Sequence, residues 1–259
     1  MNDSKIIVVS GITGAGKTTW IHQQLSLINH APSNRVLYFS PGVGNIPIDQ
    51  TRLVTNFPLI KIFKNGEVAE FSNLVRSAEV TFVEQGAYLE NQSIEQILPN
   101  LNYRKVAIIS TGVEDSDYHN WADEVVQGAD IETNVTHKQL CRIPMIGEVI
   151  DENSLNELWY ELTQGAYGKV TRAKGIFDVT DGRSLYADFV AGIPPTPIID
   201  LDLPRHLDGR PERFSGLEIL GEFDELAFKQ TLEDCCLCDE ILAHYQKQVQ
   251  QYLREEVPA

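Results

Sequence analysis

The run Gly11-Ile12-Thr13-Gly14-Ala15-Gly16-Lys17-Thr18 constrains this chain more than any other part of it, because the apolar segment Ile6-Ile7-Val8-Val9-Ser10 leads into it and a helix-compatible stretch follows. A glycine loop that ends in Lys-Thr between a strand and a helix is the phosphate-loop arrangement. Glycines let the main chain wrap with its N–H groups pointing inward, and a helix starting near Lys17 adds the positive end of its dipole. In such a loop Gly11, Thr13, Gly14, Ala15 and Gly16 form the cradle and Lys17 bridges the β- and γ-phosphates. Thr18 offers its hydroxyl to magnesium, and Thr19 lies where a side chain meets the α-phosphate. The implied ligand is Mg2+ with GTP or ATP. A glycine turn that binds nothing would have no use for the lysine and threonine that follow.

Such a loop belongs to a parallel sheet with helices on both faces, and the first half alternates short apolar runs with helical or loop segments accordingly. Strands are expected at 6–10, 35–40, 59–63, 80–84 and 106–110, and helices at 17–29, 71–77, 93–98 and 121–127. The texture changes near Cys141. There a helix over 155–163 is expected with Ser154 as its N-cap, then a hairpin of 174–180 and 183–189 about Asp181-Gly182. A strand at 217–220, a helix over 224–236 and a terminal helix over 239–255 complete the chain. The expected organisation is a nucleotide-binding domain over 1–138 and a smaller α+β domain over 139–259.

The net charge of −16 repels phosphate backbones and anionic lipid over the molecule as a whole, which excludes nucleic acid as the main partner. A bound nucleotide survives this argument, since local amides and one lysine hold phosphates whatever the overall charge. No apolar stretch reaches the roughly 20 residues that span a bilayer. Residues 1–5 lead straight into the first strand without a secretion signal, so a cytoplasmic location is expected. Four cysteines, Cys141 and the group Cys235, Cys236 and Cys238, are too few and too clustered for a disulfide framework.

Phosphoanhydride hydrolysis also needs a carboxylate at the end of a later strand, to hold the magnesium's water shell or orient the attacking water. Val80-Thr81-Phe82-Val83-Glu84 supplies it, so Lys17 and Glu84 are the expected catalytic residues and Thr18 and Glu84 the metal side of the site. Asp49 is a second carboxylate that either approaches the metal or stands on a surface loop.

With the loop, the segment 42–49 and the second half together, the chain resembles the CobW-like family of phosphate-loop GTPases, metallochaperones or metal-insertion factors. Arg142-Ile143-Pro144, the helix around Trp159, Thr171-Arg172-Ala173-Lys174-Gly175-Ile176-Phe177, Asp181-Gly182-Arg183 and the stretch 232–240 look like that family's C-terminal domain, a small sheet with helices on one face. Three departures fall at functional positions. Pro41-Gly42-Val43-Gly44 replaces an Asn-Glu-Phe-Gly-like switch, so the switch carboxylate is gone. After Asn65-Gly66, Glu67-Val68-Ala69-Glu70 replaces the zinc-binding Cys-x-Cys-Cys segment, exchanging soft thiolates for hard carboxylates. Ser110-Thr111-Gly112-Val113 replaces the Asn-Lys-x-Asp segment that reads guanine, so preference between GTP and ATP has no visible basis.

Zinc or another transition metal would need other ligands. Within one helix only Cys235 and Cys238 share a face, and core packing is favoured over a site with His244 or His206. Glu67 and Glu70 offer a hard-metal alternative, and His22, His30, His119 and His137 lack ligand spacing. Two functions fit: a slow nucleoside triphosphatase coupled to metal homeostasis or assembly of a client protein, or a non-hydrolysing module that senses nucleotide. A small-molecule kinase fits less well, since no second phosphate-acceptor motif is evident.

Overall fold

The computed structural model describes residues 5–28, 35–41, 46–85, 91–111, 116–129 and 139–255. The chain divides into two compact units, Met1–Ile131 and Glu132–Ala259.

In the first unit the apolar runs become β1 (Ile6–Ser10), β2 (Val36–Phe39), β3 (Lys61–Phe63), β4 (Val80–Glu84), β5 (Arg104–Ile109) and β6 (Glu124–Gln127). Helices α1 (Lys17–Ile28), α2 (Ile48–Asn56), α3 (Val68–Leu74), α4 (Asn91–Ile97) and α5 (Asp117–Trp121) connect them. All pairings are parallel, in the order β3-β2-β4-β1-β5-β6. Period-two alternation sorts the side chains. Val8, Phe39 and Val83 pack with Phe71, Val75, Ile94 and Leu98 on one face, while Val9, Tyr38 and Phe82 pack with Ile21, Leu25 and Leu53 on the other. Each fully buried aromatic or aliphatic residue contributes about 1.5–3 kcal/mol. Among the described residues no helix is long and apolar enough to cross a membrane.

Two elements differ from expectation. Residues 121–127 are not a helix: α5 ends at Trp121, and the chain re-enters the sheet as edge strand β6. Asp123 explains the switch, since its carboxylate accepts the Lys105 N–H at 2.8 Å and its own N–H donates to the Lys105 carbonyl at 2.9 Å. That clamp delivers the β-branched pair Val125-Val126 alongside β5. Helix α2, whose Ile48 and Leu53 are buried, was not expected at all.

The second unit contains β7 (Gln139–Pro144), β8 (Val149–Ile150), α6 (Glu152–Gln164), β9 (Gly168–Val179), β10 (Ser184–Val190), β11 (Ile199–Asp200), β12 (Gly216–Phe223), α7 (Glu225–Cys235) and α8 (Asp239–Glu255). The sheet runs β11-β10-β9-β12-β7, antiparallel, with β8 parallel to β9. The chain is thus an α/β unit followed by an α+β unit. The N-cap of α6 is Asp151 rather than Ser154. The Asp151 carboxylate accepts from the Asn153 and Ser154 amides at 3.0 and 3.2 Å, so Ser154 is a recipient of the cap and lies inside the first turn. Ala173, Phe177, Leu185, Leu217 and Ile219 of the sheet pack with Leu155, Leu158, Leu162, Phe228 and Leu232. The run Arg172-Ala173-Lys174-Gly175 reflects the two faces of β9. Arg172 and Lys174 pair with Asp188 and Glu218 at 3.7 and 3.3 Å, while a Cβ on Gly175 would stand 2.5 Å from the Phe177 ring.

The β9–β10 turn holds two carboxylates that titrate in opposite directions. Burial pushes the Asp178 carboxyl up despite its contact with Arg213 at 2.6 Å. Burial also acts upward on Asp181, but bonds from Arg183 and the nearby Arg205 outweigh it and hold that carboxyl below the ordinary 3.8. The contribution of Asp181 to stability is therefore present above pH 3.8 and lost as acid is added below it. That of Asp178 is largest in acid and declines as pH rises through its raised value. Carboxyl carbon-13 titration is expected to show Asp178 protonating at higher pH than a free aspartate and Asp181 at lower pH; the reverse order would contradict this account.

Candidate functional site

The loop after β1 emerges at the carboxyl edge of the parallel sheet, where the ends of β1 and β4 lie side by side with Val9 in register with Glu84. Gly11 sits at φ +144°, and a Cβ there would stand 2.2 Å from the Ile108 carbonyl oxygen of β5. Only glycine fits that approach. Gly14 and Gly16 also have positive φ, +92° and +101°, and the Ala15 N–H donates to the Ile12 carbonyl at 3.2 Å. Helix α1 opens at Lys17, with the Trp20 amide closing its first turn on the Gly16 carbonyl at 2.9 Å. Thr13 and Thr19 are exposed, at the loop and in the first helical turn.

Lys17 is buried to 8% exposure, and its ammonium curls back to donate to the Gly11 and Ile12 carbonyls at 2.9 and 3.1 Å. An anion entering the cradle would compete with those two neutral acceptors for a full positive charge, an exchange that favours the anion. One residue on, the Thr18 hydroxyl donates to both carboxylate oxygens of Glu84 at 3.0 Å. Glu84, 7% exposed, ends β4 as a charge that is held rather than solvated. The Tyr38 hydroxyl from β2 donates to Glu84 Oε2 at 2.9 Å, and the Ser40 hydroxyl donates to the Glu84 carbonyl at 3.2 Å. Burial pushes the Tyr38 phenol well up, and the negative charges of Glu84 and Asp49 push it further. Asp49, in the first turn of α2, is therefore within electrostatic reach of this group.

These donors suit Mg2+. The Thr18 proton is committed to Glu84, which leaves the hydroxyl's lone pairs available, and the neighbouring acceptors are hard oxygens. The thiols suit a soft metal poorly. Burial pushes Cys141 up to about 11 and Cys236 up to about 12, which keeps both protonated. The helix expected over 224–236 stops at Cys235, and Cys236 bridges to Ile150, its thiol directed at the Leu232 carbonyl at 3.3 Å. Cys238 is exposed. Glu67 and Glu70 do not join Glu84. Glu67 accepts the Lys64 N–H at 2.7 Å, and Glu70 pairs with Lys61 at 2.5 Å on the surface. His22 packs edge-on to Phe57, His119 bonds Ser116 at 3.0 Å and His244 bonds Gln248 at 2.9 Å; His30 and His137 lie outside the described residues. Among the described residues no group of three or more His, Cys, Asp or Glu could hold a metal ion.

The far wall comes from the ends of β5 and β6. Ser110 is buried, and the segments 42–45 and 112–115 lie outside the described residues. The Gly128 N–H donates to the Ile109 carbonyl at 2.7 Å, and the Ala129 N–H donates to the Ala15 carbonyl at 3.1 Å. A Cβ on Gly128 would meet that same Ala15 oxygen at 2.2 Å. Tyr38, Ser40, Gly128 and Ala129 were not singled out in the sequence. The one available signal was Tyr38 itself, a hydroxyl inside an otherwise apolar strand that needs a buried partner.

Neither a family model nor a curated protein matches the chain. Among solved structures, the zinc-bound YjiA GTPase from E. coli is 12% identical, covers 91% of this chain and 99% of its own, and has a TM-score of 0.29. A zinc-bound triple mutant of the YjiA GTPase gives the same identity and coverage with a TM-score of 0.31. Likeness at that level leaves the chemistry to the residues themselves.

Proposed function

We propose that the chain binds a nucleoside triphosphate with magnesium at the loop 11–18 and hydrolyses it slowly. The observation that carries this reading is the Thr18 hydroxyl bonded to buried Glu84 beside a buried Lys17, in a glycine loop that opens a helix. Loop amides and Lys17 would neutralise charge on the phosphates, and Thr18 would present its oxygen to the ion. Magnesium, when bound, supplies further charge neutralisation across the phosphate oxygens. Glu84 keeps the Thr18 hydroxyl oriented and would hold a water of the ion's shell.

Calorimetric titration of ATP and of GTP, each with Mg2+, tests binding, and phosphate release then tests turnover. Absence of heat from both nucleotides would end the reading. Glu84→Gln keeps the size and removes the charge; it is expected to lower phosphate release by about a hundredfold, as removal of a single electrostatic group in an active site does. An unchanged rate would remove Glu84 from the mechanism.

A second reading, a nucleotide-sensing module without efficient hydrolysis, is favoured by one observation: Pro41 stands where the resembled family carries its switch sequence. It predicts binding heat equal to the first reading and phosphate release no higher than that of Lys17→Ala. In either reading the coupling to metal homeostasis or to a client protein rests on the CobW-like resemblance. The tying of Glu67 and Glu70 into local contacts favours assembly or regulation over metal delivery. A thermal-shift series with zinc, cobalt and nickel, with and without nucleotide, separates those roles.

A further inference from the structure

We infer that Tyr38 is a positioning residue for the magnesium side of the site, fixing the rotation of the Glu84 carboxylate beside Thr18 so that it would meet the ion's water shell in one orientation. The inference rests on the nucleotide reading above and adds to it a residue from a strand outside the phosphate-loop motif. Its ground is the geometry of two hydroxyls on one carboxylate and a third on the carbonyl of the same residue. Thr18 lies 3.0 Å from both oxygens of Glu84, a symmetrical contact that fixes distance but leaves the carboxylate plane free to turn. A glutamate has one more rotatable bond than an aspartate, so the freedom is real. Tyr38 removes the symmetry by donating to Oε2 alone at 2.9 Å.

Sheet order makes this reach possible. Tyr38 of β2 lies in register with Phe82 of the adjacent strand β4, and Glu84 is two residues further along the same face. That diagonal separation is within range of an aromatic side chain and beyond most others. The phenol is wholly buried among Val9, Leu53, Phe57 and Phe82, so its ring is fixed by packing and its hydroxyl arrives pre-aligned. Ser40 stands beside the same group, bonded to the Glu84 carbonyl, and anchors the backbone end of the residue that Tyr38 holds by its tip. The negative charge of Asp49 in α2 also pushes the phenol up, and the hydroxyl donates to Glu84 beside Thr18.

Tyr38→Phe is the test, because it removes the hydroxyl and keeps the ring that the core packs around. Fluorescent N-methylanthraniloyl derivatives of ATP and GTP are titrated into wild type and variant, first in EDTA and then at fixed nucleotide with increasing Mg2+. Affinity in EDTA is expected to stay within about twofold, because the amides and Lys17 are untouched, while the Mg2+ concentration at half-saturation rises about tenfold, the effect of one lost hydrogen bond to a charged group. A merely structural role would shift both titrations together or neither. Either of those results overturns the inference. In the double variant Tyr38→Phe/Glu84→Gln, half-saturation should match Glu84→Gln alone, since Tyr38 acts only through Glu84; additive losses would also overturn it. Wild-type protein that binds neither nucleotide at saturating Mg2+ overturns the nucleotide reading and this inference with it, and that failure is distinguished by occurring before any variant is compared.

Discussion

Lys17→Ala is expected to lower affinity for magnesium-ATP and magnesium-GTP by a factor of about 10²–10⁴, an effect larger than its cost to stability. The size follows from the two charge-assisted bonds that the ammonium can transfer from its loop carbonyls to phosphate oxygens, each worth about 1.5–3 kcal/mol. Stability should fall by less, about 1–3 kcal/mol, because the truncation leaves the Gly11 carbonyl without its buried donor and the Ile12 carbonyl without its part-buried one. Lys17→Arg should fail almost as badly, since a planar fork cannot take the place of a compact ammonium curled over a loop. Isothermal titration calorimetry measures the loss, and retention of wild-type affinity in Lys17→Ala would mean that the nucleotide binds elsewhere.

Gly11→Ala is expected to have the largest effect on the fold of the first unit, a loss of roughly 2–6 kcal/mol together with loss of nucleotide binding. Two costs add. A side chain at φ +144° is strained by about 1–3 kcal/mol, and the new methyl, 2.2 Å from the Ile108 carbonyl oxygen, forces β1 and β5 apart at a cost of about 1–3 kcal/mol more. Gly16→Ala provides the contrast. It is equally left-handed, but a Cβ there meets nothing within 4 Å, so only the strain term applies. Urea denaturation of the two variants should therefore rank Gly11→Ala as clearly the less stable. Equal midpoints would mean that the Ile108 contact gives way without cost.

Much of this architecture was legible because local and global signals agree. The strands 6–10 and 80–84 were read to the residue, since each is a β-branched run closed by a polar residue that the sheet edge keeps, Ser10 and Glu84. The terminal helix, read as a polar helix from about 239 to 255, is α8 over Asp239–Glu255. Where two residues could do one job, the sequence did not choose between them: Asp151 and Ser154 are both N-cap residues, and the cap fell to the earlier one. The segment 121–127 misled because Trp121 and the acidic pair Asp123 and Glu124 fit a helical turn, whereas the Asp123 clamp on Lys105 exists only once β5 is in place. Within the site, Lys17, Thr18 and Glu84 carry local signatures. Tyr38 carries only its hydroxyl in an apolar strand as a signal, and Gly128 carries none. Tyr38 acquires its partner from a strand order that the chain does not follow in sequence, with β4 inserted between β2 and β1, and Gly128 approaches Ala15, more than a hundred residues earlier in the chain.

The hydrogen bond from Ala129 to Ala15 ties one edge of the parallel sheet to the glycine loop. An edge strand is the element of a sheet that frays first, opening at a small fraction of the global unfolding free energy. Here β6 is one of the two edges, and Ala129, two residues past it, latches the loop at Ala15. Opening of that edge would break the bond to the loop, and a ligand held in the loop should in turn hold the edge shut. The Ala129 amide, slow to exchange with deuterium when ligand is present and fast when it is not, would be the place to watch that door.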